Sequence, residues 1–490
     1  MRLTSKDNCW KLRLILAAAT FLALFAIYSL ARECLCPFGA DRDRARWRLT
    51  GDEPAYLLTA QAIASGHGED VSAVHAARTY TNYWHANKVI FGEKQWTYDN
   101  YRRLYNVKFR FDRRRQWGER QILHGSPLEP LICSPFALSQ RRPRWKILLA
   151  QGLLAAIAGA ALVLLSPGGR RAAVLQAAAT VFFLGSAPVV FYTAQVYPET
   201  VMGVLLVLFL MLNRREGAVS RCVGHACLFL SLFGSSRIAG AAFVAAAICL
   251  ERAIRRRRWG EVTVILLGVS SYFGYNLWRW GNFFPPNTDA NSVISPALLP
   301  RGFMRYLFGN SCGMVPMSSV AWAGLVALVP ILSRWRLERM ALPCAALSLG
   351  IALSVAMFPA FRGGTCAAGR YQVTCIWALL PAILVFVGTF PEDDRWMRRI
   401  RFLLWTLGPI TLALAIWLAI HPGWWHERYH PFFKPVALQR FYVLLPDFSG
   451  AWRRPLAMML AVFGALTFLP DAARRLRGAV SPPTDAKSRQ

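Results

Sequence analysis

Two adjacent carboxylates early in the chain are the first candidates for chemistry. Asp52 and Glu53 stand in a Thr-Gly-Asp-Glu-Pro segment, close to the predicted start of a helix. A carboxylate within hydrogen-bond reach can take the proton of a sugar or lipid hydroxyl, a weak nucleophile, as that hydroxyl attacks. Alternatively, Asp52 caps the helix and Glu53 complements its dipole. The residue types and their spacing leave both interpretations open.

Two arginines are candidates for binding an anion. Arg370 follows a glycine-containing stretch, residues 363–369, at the predicted outer start of a helix. Free backbone N–H groups and a guanidinium fork can hold a phosphate together there, and the alternative is an interfacial arginine that extends to lipid headgroups. Arg237 lies between two short apolar segments, where a charge usually serves a site or pairs with an acid. The alternative for Arg237 is an ordinary loop residue of a helical hairpin.

Glu199 and His124 are further candidates on the same predicted side. Glu199 follows Tyr197 and a proline at the mouth of a helix, where it either complements the helix start or orients an acceptor. It can also join Asp52 around a divalent cation, since oxygen ligands from distant loops suit magnesium or manganese. His124 precedes a Gly-Ser-Pro turn and can bind substrate or shuttle a proton, with a structural role as the alternative.

Composition excludes a soluble nucleic-acid-binding protein. The 490 residues are 55% apolar and 17% charged, yet 57 Lys and Arg against 26 Asp and Glu give a net charge of +31. Basic nucleic-acid binders do not place their charges among long apolar runs. Uncharged runs of about 17 to 20 residues are long enough to cross a bilayer. The 11 cysteines form no paired C-x-x-C sets, which argues against a zinc module or disulfide scaffold.

The apolar runs predict an all-α polytopic membrane protein with about twelve transmembrane helices. The first run, residues 14–31, follows a basic start and is interpreted as a retained signal anchor. The run at 222–250 is too long for one span, and we divide it at residues 235–237. The other runs are 146–165, 172–192, 199–213, 261–279, 316–333, 341–358, 371–390, 402–420 and 455–470.

The predicted organisation follows from these runs. It comprises a cytoplasmic N-terminus (1–13), the first span (14–31), a long first extracytoplasmic loop (32–145), a transmembrane bundle with short loops (146–470) and a cytoplasmic tail (471–490). Arginines concentrate in the short loops of one side, as expected for cytoplasmic loops, where they also attract anionic lipids. Residues 55–66 of the first loop, with a proline near the start and Gly66 at the end, predict a short helix lying along the membrane surface.

The order of these features resembles the GT-C superfamily of integral-membrane glycosyltransferases, and within it bacterial relatives of protein O-mannosyltransferase and aminoarabinose transferase. The resemblance covers residues 10–420. It is carried by the signal anchor, the acidic pair in the first loop, the His-Gly-Ser-Pro-Leu segment from His124, the Phe-Tyr-Thr-Ala-Gln-Val-Tyr-Pro-Glu segment ending at Glu199, and the Gly-Arg-Tyr segment ending at Tyr371. Glu129 departs from the pattern, because small apolar residues are more usual there.

The resemblance implies a transferase that passes a sugar from a polyprenyl-phosphate carrier to a lipid, glycan or protein hydroxyl at the outer face of the membrane. Asp52 matches the family's catalytic acidic position, where it would act as general base, and Glu53 supports it or binds the acceptor. His124, Tyr197, Glu199, Arg237, Arg370 and Tyr371 are the predicted substrate-binding residues. No cofactor is predicted, because a monophosphate donor gives less reason for a divalent cation than a pyrophosphate. The predicted location is the bacterial inner membrane, with both termini cytoplasmic.

Three alternatives remain open at this point. A transporter or flippase of lipid-linked oligosaccharides should carry polar features on both faces, whereas here the candidates gather on one. An O-antigen polymerase or ligase should have its large outer loops late in the chain, whereas here the largest comes first. The third alternative is a non-catalytic membrane protein.

Overall fold

The structure is a computed structural model of the chain. The described residues are 3–35, 53–68, 71, 89–91, 94–96, 127–137, 143–280, 283, 296–309, 313–336, 338–357, 370–420 and 453–480.

Nearly all of these residues lie in α-helices. The helices are α1 (Leu3–Leu35), α2 (Glu53–Ala64), α3 (Leu128–Ala137), α4 (Pro143–Leu165), α5 (Arg170–Leu184), α6 (Ala187–Thr193), α7 (Pro198–Asn213), α8 (Ala218–Leu232), α9 (Ala239–Arg255), α10 (Trp259–Trp280), α11 (Leu299–Phe308), α12 (Met314–Met317), α13 (Ala321–Ser333), α14 (Ala341–Ala356), α15 (Gln372–Thr389), α16 (Arg395–Ile420) and α17 (Arg453–Val480). Short 3₁₀ turns occupy Ser236–Ile238 and Pro296–Leu298. Strands β1 (Val89–Phe91) and β2 (Lys94–Trp96) pair antiparallel, with Val89 opposite Trp96.

Several helices are long and apolar enough to cross a membrane. There are 5 such helices among the described residues, or 6 when one bent pair counts as a single span. The spans are Cys9–Cys34, Arg144–Leu165, Gln372–Thr389, Arg395–Ile420 and Leu456–Arg474, with Arg170–Leu184 plus Ala187–Thr193 as the bent pair. The chain is therefore an all-α membrane protein. The described residues do not test the expected total of about twelve spans, which stays a prediction.

The expectation of one uninterrupted helix over 172–192 is wrong. The run divides into α5 and α6, which meet at a bend of 66°. Ser186 begins α6 with an extended backbone, its ψ being 151°, and its Oγ donates to the carbonyl oxygen of Phe183 at 2.7 Å. Pro188 follows in the first turn of α6, where its missing N–H costs nothing. A serine and a proline therefore start a new helix within an apolar run.

The division predicted at residues 235–237 is present in the structure. Helix α8 ends at Leu232, α9 begins at Ala239, and the 3₁₀ turn between them contains Arg237. The intact run would have carried Arg237 into the middle of a helix, and the turn instead places it between two helix ends.

Helix α2 forms where the sequence predicts a short helix, but its surroundings differ from the expectation. Gly66, with φ of +81°, follows the helix, and the next N–H, that of His67, donates to the carbonyl oxygen of Ala62 at 2.9 Å. Every residue from Tyr56 to Ala62 is buried. A helix on a membrane surface would keep a polar face in water. The interfacial interpretation is therefore wrong for α2, which packs against α3 inside the protein.

The turns that contain or adjoin the arginine clusters meet at one end of the bundle, here called the basic end: residues 166–169, 214–217, 256–258, 338–340 and 390–394. The ion pairs that join the elements there include Arg171 Nη1 to Glu392 Oε2 at 2.7 Å, Arg214 Nε to Glu338 Oε2 at 3.1 Å, and Arg399 Nε to Asp471 Oδ2 at 2.7 Å. The expected grouping of these turns on one side agrees with these contacts. The last pair also fixes α17, which continues through the expected boundary at 471 to Val480.

Helices α7 and α15 run from the opposite end of the bundle to the basic end. They contain 16 and 18 residues, so each is roughly 24 to 27 Å long at 1.5 Å per residue. Glu199 is the second residue of α7, and Arg370 lies two positions before Gln372, the first residue of α15. The predicted polar candidates on these two helices therefore lie far from the basic end.

Candidate functional site

A buried ion pair joins the starts of α7 and α15. Arg370 Nε donates to Glu199 Oε1 at 2.6 Å, and the two residues are 5% and 2% exposed. Glu199 is the second residue of α7, and Arg370 precedes the first residue of α15 by two positions. An ion pair this deep contributes little net stability but strongly disfavours the removal of one partner.

Tyr56 brings a third element, α2, to this ion pair. Arg370 Nη2 donates to the phenolic oxygen of Tyr56 at 3.1 Å. The ring of Tyr197, which precedes α7, lies under the guanidinium, with 4.5 Å between its centroid and Arg370 Cζ. Tyr56 and Tyr197 also meet edge to face, with 5.8 Å between ring centroids. Helix α2 begins at Glu53, so the helix that follows the acidic pair is tied directly to Arg370.

Tyr371 connects the two candidate arginines. The Cζ atom of Arg237 lies 4.4 Å from the ring centroid of Tyr371, and that of Arg370 lies 5.6 Å from it. Arg237 Nη1 also donates to the Tyr371 hydroxyl. Arg237 and Tyr371 are partly exposed, whereas Arg370 is buried. Among the described residues, two guanidinium groups lie against one ring and Glu199 is the carboxylate paired with them, a combination that favours an anion.

The backbone of Tyr371 is held by α11. Tyr306 donates from its hydroxyl to the carbonyl oxygen of Tyr371 at 3.0 Å. Burial raises the pKa of Tyr306 well above its usual value, so the phenol keeps the proton that it donates. Gly302, one turn earlier, lies against the last turn of α14, where an added Cβ would fall 2.0 Å from the carbonyl oxygen of Ala356. Glycine thus permits the close approach that brings Tyr306 to Tyr371.

A second buried carboxylate lies behind Tyr197. Glu129 of α3 is 0% exposed, and its Oε1 accepts hydrogen bonds from Gln151 Nε2 and from the Cys133 thiol, the latter at 3.4 Å. Gln151 Nε2 also lies 3.4 Å from the carbonyl oxygen of Tyr197. The departure from the family pattern at Glu129 is therefore a buried polar contact of α3 and α4 with the segment that carries Tyr197 and Glu199.

The structure thus brings together five of the predicted substrate-binding residues: Tyr197, Glu199, Arg237, Arg370 and Tyr371. The alternative of a headgroup-directed Arg370 is wrong, because its side chain is buried and paired. Glu199 also lies in the first turn of α7, where its negative charge complements the helix start, so this alternative holds beside the ion pair with Arg370.

Three predicted residues lie outside these contacts. Asp52 and His124 fall outside the described residues, and only the helical backbone of Glu53 is described.

Sequence reasoning missed Tyr56 and Gln151 as parts of the site. Tyr56 stands one helical turn after the acidic pair, and Gln151 is a polar residue in an otherwise apolar run; these are the signals that could have found them.

The second carboxylate oxygen of Glu199, Oε2, is available to bind a ligand group. Within the described part of the chain, Glu199 Oε2 is buried and has no hydrogen-bond partner. A buried carboxylate oxygen normally accepts at least one hydrogen bond, so a hydroxyl placed here would be bound favourably.

No group of three or more His, Cys, Asp and Glu able to hold a metal ion occurs among the described residues. No protein-family model and no curated protein sequence matches the chain.

Proposed function

We propose that this chain is an integral-membrane glycosyltransferase of GT-C type, with about twelve spans and both termini in the cytoplasm of a bacterial cell. It moves a sugar from a polyprenyl-phosphate donor to a hydroxyl of a lipid, glycan or protein at the outer face of the inner membrane. The observation that carries the proposal is the contact of Arg370 with both Glu199 and Tyr56, since Tyr56 belongs to the helix that starts at the acidic pair.

The charges at this site suit a phosphate leaving group. In the transfer, the acceptor oxygen forms a bond to the anomeric carbon while the bond from that carbon to the phosphate oxygen breaks. The phosphate leaves with the electron pair and gains one negative charge. Arg237, which is partly exposed and stacked on Tyr371, is the group that binds this phosphate. Arg370 adds positive potential, although Glu199 offsets part of it.

The carboxylates accept the proton of the acceptor hydroxyl and bind a substrate hydroxyl. Asp52 accepts the proton of the acceptor hydroxyl as the new bond forms, and Glu53 supports it. Glu199 holds a sugar or acceptor hydroxyl through Oε2, the oxygen that no described residue contacts by a hydrogen bond. His124 and the rings of Tyr197 and Tyr371 complete the substrate contacts in this proposal.

Replacement of Asp52 by Asn tests the proposal. Membranes containing the protein are incubated with radiolabelled polyprenyl-phosphate hexose, pentose and aminosugar donors, and the release of polyprenyl phosphate is measured, because this product is common to all sugars. We expect Asp52→Asn to lower the rate about 10²- to 10⁴-fold with unchanged expression and membrane insertion. Asp393→Asn, the same change at an exposed residue of the basic end, should leave the rate unchanged.

The outcomes separate the competing functions. Normal release with Asp52→Asn would eliminate Asp52 as the base. If the wild-type protein released no carrier but moved a lipid-linked saccharide between the leaflets of vesicles, the transporter alternative would replace the proposal. Absence of both activities together with absence of polyprenyl-phosphate binding would favour a non-catalytic membrane protein.

A further inference from the structure

The basic end contains a buried charge cluster far from the candidate site. Glu261, in the first turn of α10, accepts from Arg221 Nε at 2.6 Å, and Arg258 Nη1 lies 3.6 Å from the same carboxylate oxygen. His225 is 0% exposed, with its Nε2 3.8 Å from the other oxygen of Glu261. Arg221 also donates to the carbonyl oxygen of Arg215 at 3.0 Å. Glu261 therefore pairs mainly with Arg221, and its contact with Arg258 is longer and weaker.

The turn after α13 brings a further arginine, Arg339, to this cluster. Arg252 Nη1 donates to the carbonyl oxygen of Arg339, and the ion pair of Arg214 with Glu338 holds the same turn at 3.1 Å. The Nη1 atom of Arg339 is buried and has no hydrogen-bond partner in any segment that the structure describes. A buried guanidinium N–H without an acceptor is costly, so an anion that supplies an acceptor oxygen here would be bound favourably.

The cations of the cluster lie close enough to repel one another. The pKa of Arg258 is lowered, first by burial and then by the positive charge of Arg221, with smaller contributions from Arg339 and Arg256. Glu261 acts in the opposite direction but does not cancel them. An anion between Arg258 and Arg339 would relieve this repulsion and supply oxygen acceptors.

The position of the cluster indicates the source of that anion. Trp259, directly after Arg258, is 65% exposed, and Ile254 and Val219 are 49% and 78% exposed. Exposed apolar side chains next to a charged end are typical of the boundary between lipid tails and headgroups, where tryptophan is enriched. A cluster at such a boundary would lie at the depth of the phosphate groups of one leaflet, which makes a phospholipid the source of the anion.

We propose that Arg258 and Arg339 form a binding site for the phosphate of an anionic phospholipid headgroup. This inference is independent of the proposed transfer reaction. It is also more specific than a general attraction between arginine-rich turns and a negative membrane, because it assigns the lipid to two side chains of the turns after α9 and α13.

Native mass spectrometry of the full-length protein in a neutral detergent tests the site. Phosphatidylglycerol and phosphatidylcholine are titrated against the wild-type protein and against the double variant Arg258→Gln/Arg339→Gln. We expect phosphatidylglycerol to be preferred by the wild-type protein and to bind about tenfold or more weakly to the double variant. The matched control, Arg170→Gln/Arg395→Gln, removes two exposed arginines of the same end and should change binding less than about threefold.

Each other outcome would overturn the assignment. Equal losses in the double variant and the control would mean diffuse attraction, and equal binding of the two lipids would mean that headgroup charge is irrelevant. Displacement of phosphatidylglycerol by inorganic phosphate alone would identify a soluble phosphate site instead. If the double variant does not elute as a monodisperse species, the single variants Arg258→Gln and Arg339→Gln replace it, with about threefold expected for each.

Discussion

The hydroxyl of Tyr56 can be removed to test one contact of Arg370 while the others stay in place. Tyr56→Phe removes the hydrogen bond from Arg370 Nη2 at 3.1 Å but keeps the ring that meets Tyr197. Loss of a buried hydrogen bond to a charged group costs about 1.5–3 kcal/mol. We therefore expect Tyr56→Phe to lower the melting temperature in detergent and to weaken the binding of polyprenyl phosphate several-fold.

Tyr28→Phe is the matched control for this prediction. Tyr28, in α1, is 2% exposed and donates from its hydroxyl to the carbonyl oxygen of Leu184 at 3.1 Å. Its removal should cost about 0.5–1.5 kcal/mol, because both groups are neutral, and should leave carrier binding unchanged. Unaltered carrier binding by Tyr56→Phe would count against a link between α2 and the anion-binding residues.

At the scale of elements, the packing of α11 against α14 determines where Tyr306 and Tyr371 meet. Gly302→Ala would place a Cβ 2.0 Å from a backbone oxygen, which cannot move as a flexible side chain can. We expect α11 to shift, the protein to lose about 1–3 kcal/mol of stability, and carrier binding to weaken as the support of Tyr371 is lost. Thermal unfolding and carrier binding in detergent measure the two effects.

Gly464→Ala provides a control with the opposite sign. Gly464 lies within α17, and an added Cβ there meets no atom within 4 Å. Alanine in the interior of a helix is more stable than glycine by about 0.5–1 kcal/mol, so this variant should melt slightly higher and bind the carrier normally. If both glycine variants shifted the melting temperature in the same direction, the close approach at Gly302 would not be the cause.

The same scale shows what local sequence patterns could and could not predict. The break at Arg237 follows from the length of an apolar run, and Glu199 and Arg370 follow from their positions at helix starts. The contact of Tyr56 with Arg370 joins residues separated by 314 positions, and no local pattern specifies such a pairing. The burial of α2 was missed for the same reason, since its apolar residues fit a membrane surface and a protein interior equally well.

On the scale of the whole molecule, charges have different roles at its two ends. Among the described residues, the two arginines of the candidate site are stacked on tyrosines, whereas the basic end combines exposed arginines with buried ones that join helices. Arg13 shows that one of many positive charges can also make specific buried contacts. In sequence it is one of several basic residues before the first span, yet in the structure it is 6% exposed and ties α1 to the turn after α4.

Arg13→Gln should therefore destabilise the protein although it changes only one of many positive charges. The Arg13 guanidinium donates to the carbonyl oxygens of Val163 at 2.7 Å and Gly168 at 2.7 Å, and to Gln176 Oε1 at 3.1 Å. Removing such charged hydrogen bonds lowers the free energy of unfolding by about 1.5–3 kcal/mol. The control, Lys11→Gln, changes an exposed neighbour and should keep the free energy of unfolding within about 0.5 kcal/mol of wild type. Unfolding followed by tryptophan fluorescence in detergent measures both. Equal stability of the two variants would mean that Arg13 acts through its charge alone, as the sequence pattern by itself implies.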